Sequence, residues 1–269
     1  MADEARRWLA AFAARRRSEP PDLSAIDAGA WEPAARDAAR LVWRRRVLNE
    51  ALSVAVARRL RETCARLPEL GGEVDSALAR LEEDEAAHVT LASAVLSRLE
   101  RARPPEPEPM ELLDEGAEPT FVRLVLTGLC VCETVSAARF AAVREHTDLP
   151  AFRACIEVFH RDELTHAELG FVLWPTAFER LDAAIGRERA VELVAAELRR
   201  TLGHLDRVVG LDLERRGGPP PPRPQPPDNP GVVEPVIDAI AFYSAIHAEV
   251  LPRLSALGVP AAQAWASRS

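Results

Sequence analysis

Glu-x-x-His occurs three times in the chain, as Glu85/His88, Glu157/His160 and Glu163/His166. Residues three apart share one face of a helix, so each pair can offer a carboxylate and an imidazole to the same metal ion. Two more acids stand on otherwise apolar helical faces: Glu50 among Trp43, Val47, Val54 and Ala57, and Glu133 among Leu126, Leu129, Ala137 and Phe140. Glu157 and His160 fall on a largely polar face with Arg153 and Arg161, whereas Glu163 shares its face with Ile156, Phe159, Ala167 and Gly170. The candidate metal set is therefore Glu50, Glu85, His88, Glu133, Glu163 and His166. These four carboxylates and two imidazoles converge on the inside of a bundle. His160, one turn before Glu163, is a candidate to border it. Asp84 and Asp162 each precede a selected Glu-x-x-His. A metal-bound imidazole needs an acceptor on its second nitrogen, which makes each aspartate the candidate partner of the histidine on the opposite helix.

Helical periodicity places these residues on four segments, at about 34–63, 73–101, 120–145 and 150–174. In the second, Val74, Leu78, Leu81, Ala92, Val95 and Leu99 form an apolar stripe that only Glu85 and His88 interrupt. Glu50 lies about 12 residues before its turn and Glu85 about 12 after its helix begins, and Glu133 and Glu163 repeat the arrangement. In two antiparallel hairpins all four acids then stand at one level. Residues 103–119 form a proline-rich connector expected to run extended. At roughly 3.1 Å per residue it spans on the order of 50 Å, enough to return along a whole helix. Thr147 to Pro150 reads as a turn with helix-capping chemistry.

The remaining chain reads as follows. Residues 1–17 form an amphipathic helix that ends in a solvated Arg15, Arg16 and Arg17 and packs on the main body. A helix break falls at Pro175, with helices at about 176–185, 187–209 and 233–257 beyond it and a polyproline linker at 217–231. The expected division is an N-terminal helix and linker (1–33), a di-metal bundle (34–174) and a C-terminal helical extension (175–269). No strand pattern is present, so the expected fold is all-α: a four-helix bundle with a long crossover between its second and third helices and extra C-terminal helices.

Composition narrows the function. The chain has 269 residues, is 48% apolar and 28% charged, and carries a net charge of -8. That charge is a poor match for a phosphate backbone, so no nucleic-acid partner is expected. All 34 basic residues are arginine, which excludes a Schiff-base or Walker lysine. Cys64, Cys130, Cys132 and Cys155 include no C-x-x-C pair and read as buried thiols. The apolar stretches read as too short for a membrane span and the N-terminus lacks a signal sequence, so a cytoplasmic protein without a membrane partner is expected.

The stretch His160-Arg161-Asp162-Glu163-Leu164-Thr165-His166 resembles the fourth-helix motif of bacterioferritins and bacterial di-iron monooxygenases, and Glu82 to His88 resembles their second-helix motif. Over about residues 34 to 174 the chain is thus similar to the ferritin-like carboxylate-bridged di-iron superfamily. The resemblance implies that the six residues hold two iron ions, with two glutamates bridging, and manganese or a mixed pair as the alternative metals. It implies a non-haem oxidoreductase of oxygenase or N-oxygenase type. Such an enzyme uses dioxygen or peroxide, a small organic substrate and an external electron donor, as a monomer or small oligomer such as a homodimer. A ferroxidase or iron-storage protein and a purely structural bundle are the other readings. Ala86 stands where bacterioferritins carry their haem-ligating methionine, so no haem is expected. The only tyrosine, Tyr243, lies outside the four helices, which removes a ribonucleotide-reductase radical site, and the missing cysteine pairs argue against a full rubrerythrin. Roughly 95 residues after Trp174 favour oxidation of a substrate over storage, because added helices can wall a pocket.

Overall fold

The computed structural model describes residues 2–17, 19–100, 105, 115–210 and 229–268. Among these residues all regular structure is helical and no strand occurs. The helices are α1 (Asp3–Ala13), α2 (Pro33–Cys64), α3 (Gly72–Leu99), α4 (Ala117–Glu145), α5 (Pro150–Ile185), α6 (Arg187–Val208), α7 and α8 (Ala261–Ala266). The last but one, α7, runs as Pro235–Ala245, a π-helical turn Ile246–Val250, and Leu251–Ala256. Most of the 103–119 connector and the 217–228 part of the polyproline stretch lie outside the described residues.

Proline at the first position starts α2 and α5, where its missing N–H is not needed. Gly71, at φ +89°, turns the chain between α2 and α3. Side-chain pairs then show that these two helices run antiparallel: Arg40 reaches Leu99, Arg44 reaches Glu100, Arg58 reaches Glu82 and Arg61 reaches Asp75. In the second hairpin Arg144 meets His160 near the turn, while Gly170 meets Leu129 and Cys130 farther along. A Cβ on Gly170 would lie 2.6 Å from the Leu129 Cβ, so α4 and α5 approach too closely there for any larger residue.

The apolar core falls into two parts. One gathers Leu60, Leu78, Phe121, Leu126 and Trp174, and the other gathers Trp43, Leu96, Phe152 and Phe159. Along α2 the change from one part to the other comes between Val47 and Ala57, and along α3 between Leu81 and Leu91. Glu50 and Glu85 sit at these junctions.

Several local expectations are corrected. The N-terminal helix stops at Ala13, so Arg15 follows it in a segment free to turn inward. Ala117 to Pro119 already belong to α4, because a proline in the first helical turn forfeits no hydrogen bond. Helix α5 passes through Pro175 without ending, so the boundary drawn at 174/175 falls inside a helix. Burial of Leu173, Trp174, Ala177 and Leu181 on either side outweighs a proline cost of about 3 kcal/mol. Asp148 does not cap α5; its carboxylate accepts the Asn229 backbone N–H at 3.1 Å and anchors the segment leading to α7. Helix α8 has no counterpart in the sequence reading. By length and composition α4 is apolar enough to cross a membrane, contrary to expectation, but 72% of its most apolar window is buried in the protein, as in a core helix.

Candidate metal centre

Helices α2 to α5 each bring chemistry to the junction between the two core parts. Glu50, Glu85, His88, Glu133, Glu163 and His166 are all buried, none more than 6% exposed. They form two groups able to hold a metal ion: Glu50, Glu85, His88 and Glu163, and Glu85, Glu133, Glu163 and His166. Within each group the ligand atoms lie within 4.8 Å of one another. Glu85 and Glu163 belong to both. The arrangement therefore suits two neighbouring ions, each with one glutamate and one histidine of its own and two shared carboxylates.

The imidazoles present one nitrogen to this cluster and the other away from it. His88 Nδ1 lies 3.4 Å from Glu50 Oε2 and 3.5 Å from Glu85 Oε2, while its Nε2 is 3.3 Å from Asp162 Oδ2. His166 Nδ1 lies 2.9 Å from Glu85 Oε1 and 3.3 Å from Glu163 Oε2, with Nε2 3.6 Å from Asp84 Oδ2. Each aspartate thus faces the histidine of the opposite helix. Phe159 packs edge-on against His88 and Phe12 against His166, limiting how far either ring can turn.

Burial and the close packing of like charges shift the ionisable groups of the cluster. Burial lowers both imidazoles, but the surrounding carboxylates override it and bring His166 up to about 10, with His88 raised as well. Burial also raises Glu85, and here the two imidazoles win and hold it down at about 2. Burial raises Glu163 well above the carboxylate range, helped by Glu133 and Glu85, and its carboxyl donates to Glu133. Glu133 is itself raised by burial to about 7. Even so, the two imidazoles meet Glu85 by charge and not by well-aligned hydrogen bonds, which neither Glu85 oxygen nor His88 Nδ1 makes. Leaving such atoms unanswered is costly, and a metal ion is the partner their geometry and chemistry fit.

A second shell of charge, absent from the sequence reading, lies behind the aspartates. Arg15 donates to Asp84 Oδ2 at 3.2 Å, to Asp162 Oδ1 at 3.0 Å and to Thr165 Oγ1 at 2.6 Å. Arg80 adds bonds to both Asp84 oxygens, at 2.9 and 2.7 Å, and donates to the Arg15 carbonyl at 2.6 Å. Burial raises both aspartates, yet their imidazole and arginine partners hold each below its ordinary value. The expected solvated arginine at 15 is thus an inward bridge, because two aspartates one turn from the imidazoles outcompete water for it.

Glu133 owes its position to an irregularity that the sequence does not announce. Val125–Glu133 is a π-helical segment, and Glu133 is its last residue. Such segments are rare and concentrate at functional sites. Thr127 and Thr134 bond to backbone carbonyls of their own helix, at 2.8 Å each. His160 stands apart from both ligand groups; its Nδ1 lies 3.2 Å from Arg144, and burial followed by that guanidinium lowers its pKa. Tyr243 donates to Asp206 at 2.8 Å.

On the side of Glu50 and Glu163 the cluster borders a cavity of about 200 Å³. Its apolar wall includes Val42, Phe140, Val143 and Val233, with Ser53 and Ser136 also exposed to it. Gly231, Val233 and Asp238 come from the segment before α7 and from α7 itself, so the C-terminal part of the chain closes one face. That segment is pinned in place: Asn229 Oδ1 accepts from the Gly231 and Val232 N–H groups, and Trp43 Nε1 donates to the Pro230 carbonyl at 3.1 Å.

Arg46 also lines this cavity and was missed. It is 8% exposed, its guanidinium lies 4.3 Å from the Trp43 ring centroid and 5.2 Å from that of Phe140, and its Nη1 is buried without a hydrogen-bond partner. Its position four residues before Glu50, on the face of Trp43 and Val47, was the available signal. Among family models, curated proteins and solved structures, none matches this chain.

Proposed function

We propose that the protein is a ferritin-like non-haem di-iron oxidoreductase that uses dioxygen or peroxide to oxidise a small organic molecule. The observation that carries this reading is the sharing of Glu85 and Glu163 between two buried ligand groups that border a partly enclosed cavity. Two iron ions held there would supply redox chemistry toward oxygen. Glu50 with His88, and Glu133 with His166, would hold one ion each, with Glu85 and Glu163 available to both. Asp162 accepts from the outer nitrogen of His88 at 3.3 Å and Asp84 faces that of His166 at 3.6 Å as a charge partner, an arrangement that keeps Nδ1 of each ring turned to the cluster. Phe140 and Val143 give the adjoining cavity an apolar wall, against which a substrate can sit beside the cluster.

Anaerobic loading with ferrous iron followed by metal analysis and Mössbauer spectroscopy tests this directly. Two irons per chain in a coupled high-spin pair are expected, and stoichiometry well below two overturns the reading. On exposure to oxygen, oxidation should stop once the bound metal is consumed. Mineralisation far beyond two irons per chain would assign the protein to iron storage instead.

A further inference from the structure

Arg46 has a property the metal reading does not use. It is a buried cation, fixed between aromatic rings, with a donor atom that nothing answers. Burial lowers Arg46 to about 10 even though Glu50 and Asp238 offset part of the cost of burying this charge, and Nη1 is left unanswered, so the site favours a further anion. The other arginines at the cavity do not share the feature. Arg139 is held by Asp238 through two bonds of 2.7 and 2.8 Å, and Arg45 is exposed. Glu50 is the carboxylate nearest in sequence on the same face, but it belongs to the ligand cluster. Two divalent cations would balance the four glutamates, leaving the Arg46 charge to be met from the cavity.

We propose that the cavity binds a small organic monocarboxylate, with the carboxylate on Arg46 and the apolar body toward Phe140 and Val143. This rests on the di-metal reading for what happens to the ligand and for the full strength of its binding, while Arg46 supplies the anion site itself. A planar guanidinium suits a carboxylate through paired N–H bonds, whereas one arginine leaves a phosphate dianion half neutralised. Size points the same way. An apolar cavity of roughly 150 Å³ admits benzene, so about 200 Å³ holds one ring or a short chain together with its carboxylate. The ligand's far end then meets Glu50 and Glu163, the two cluster residues that face the cavity.

Calorimetric titration of the full chain with benzoate, benzamide and benzylamine tests the proposal, using both metal-free protein and protein loaded with redox-inert zinc. Benzoate should bind at least about tenfold tighter than either analogue, roughly the difference of one charge-assisted contact. The preference should be stronger with zinc, which removes the competing charge of Glu50, and should persist more weakly without it. Arg46→Gln should abolish it, and Arg46→Lys should restore part of it, while zinc content stays unchanged. Equal affinity for benzamide overturns the proposal without any variant. A benzoate preference that survives Arg46→Gln also overturns it, since the carboxylate would then be binding the metals. Zinc content below two per chain counts against the di-metal reading alone, because the metal-free titration still measures the Arg46 site.

Discussion

Behind His88 and His166 the protein lays charge upon charge: Asp162 and Asp84, then Arg15 and Arg80, with the N-terminal segment drawn across the outside. On the opposite side, past Glu50 and Glu163, it leaves a cavity and an arginine whose Nη1 has no partner. The same residue type plays opposite parts in the two regions. Arg15 and Arg80 are consumed by internal acceptors and serve to hold, while Arg46 keeps hydrogen-bonding capacity and can receive. A reactive centre gains from this asymmetry, because a ligand can approach on one side without loosening the groups that orient the imidazoles on the other.

The largest test removes what both regions share. Glu85→Ala/Glu163→Ala should reduce bound iron from two per chain to none detectable by elemental analysis. Circular dichroism should stay helical, since burial favours neutral imidazoles and both can give up their protons once Glu85 is gone. Two irons retained would show that these carboxylates are not the bridge.

Proton competition comes next. In the metal-free protein His166 is raised to about 10, so it is protonated at neutral pH and its pairing contributes stability that is complete below about 6.5. That contribution is lost as pH rises from there through about 10. Metal binding runs the other way, because ligation requires neutral imidazoles. With each histidine giving up a proton to its own ion, the combined constant for loading both irons should fall by at least about a hundredfold for each pH unit lowered, and by more where the raised Glu163 carboxyl must also lose its proton. Thermal denaturation of chelator-treated protein and metal competition titrations across pH 6 to 9 measure the two effects. An affinity independent of pH would mean the imidazoles are not ligands.

Substitutions confined to the charged side should have intermediate effects. Asp84→Ala or Asp162→Ala should weaken metal binding about 10- to 100-fold with the fold intact, and Asn at either position should do less harm, since its amide oxygen still accepts the imidazole proton. Arg15→Gln, one step farther out, should cost less than either and leave benzoate binding unchanged. Wild-type metal affinity in both aspartate variants would reduce them to structural acids. The smallest expected effect is at His160, which meets Arg144 outside both ligand groups. His160→Ala should change metal affinity by less than about twofold, the range ordinary for a substitution away from a site; a larger loss would extend the centre beyond the six residues.

The positions that converge were legible because helical phase and level are both arithmetic in residue number. Glu-x-x-His fixes a face, and equal distances from two turns fix a height, so Glu50 could be matched to Glu85 and Glu133 to Glu163 without knowing any contact. The arginines left weaker signals. Arg44, Arg45 and Arg46 read as one charged run, in which the helical phase of Arg46, three residues after Trp43 and four before Glu50, is the one sign that it is buried while its neighbour Arg45 is exposed. Arg15 lies outside its helix, where periodicity carries no information and the partner is 69 or 147 residues away. Pro175 misled for a related reason: a local rule favours a break, and tertiary packing on both sides decides against it.

The π-helical stretch Val125–Glu133 has a consequence for how the chain tolerates change. Each residue of an α-helix advances the side chains by about 100°, so dropping one residue from this stretch would rotate everything before it against everything after. Phe121 and Leu124 upstream and Phe140 and Val143 downstream could not then all stay in the core with Glu133 still facing inward. The wide turns act as a vernier, allowing one rod to satisfy two packing phases and deliver a carboxylate where they meet. A deletion here should therefore be far more damaging than any single replacement within it, because it takes Glu133 out of phase together with the core.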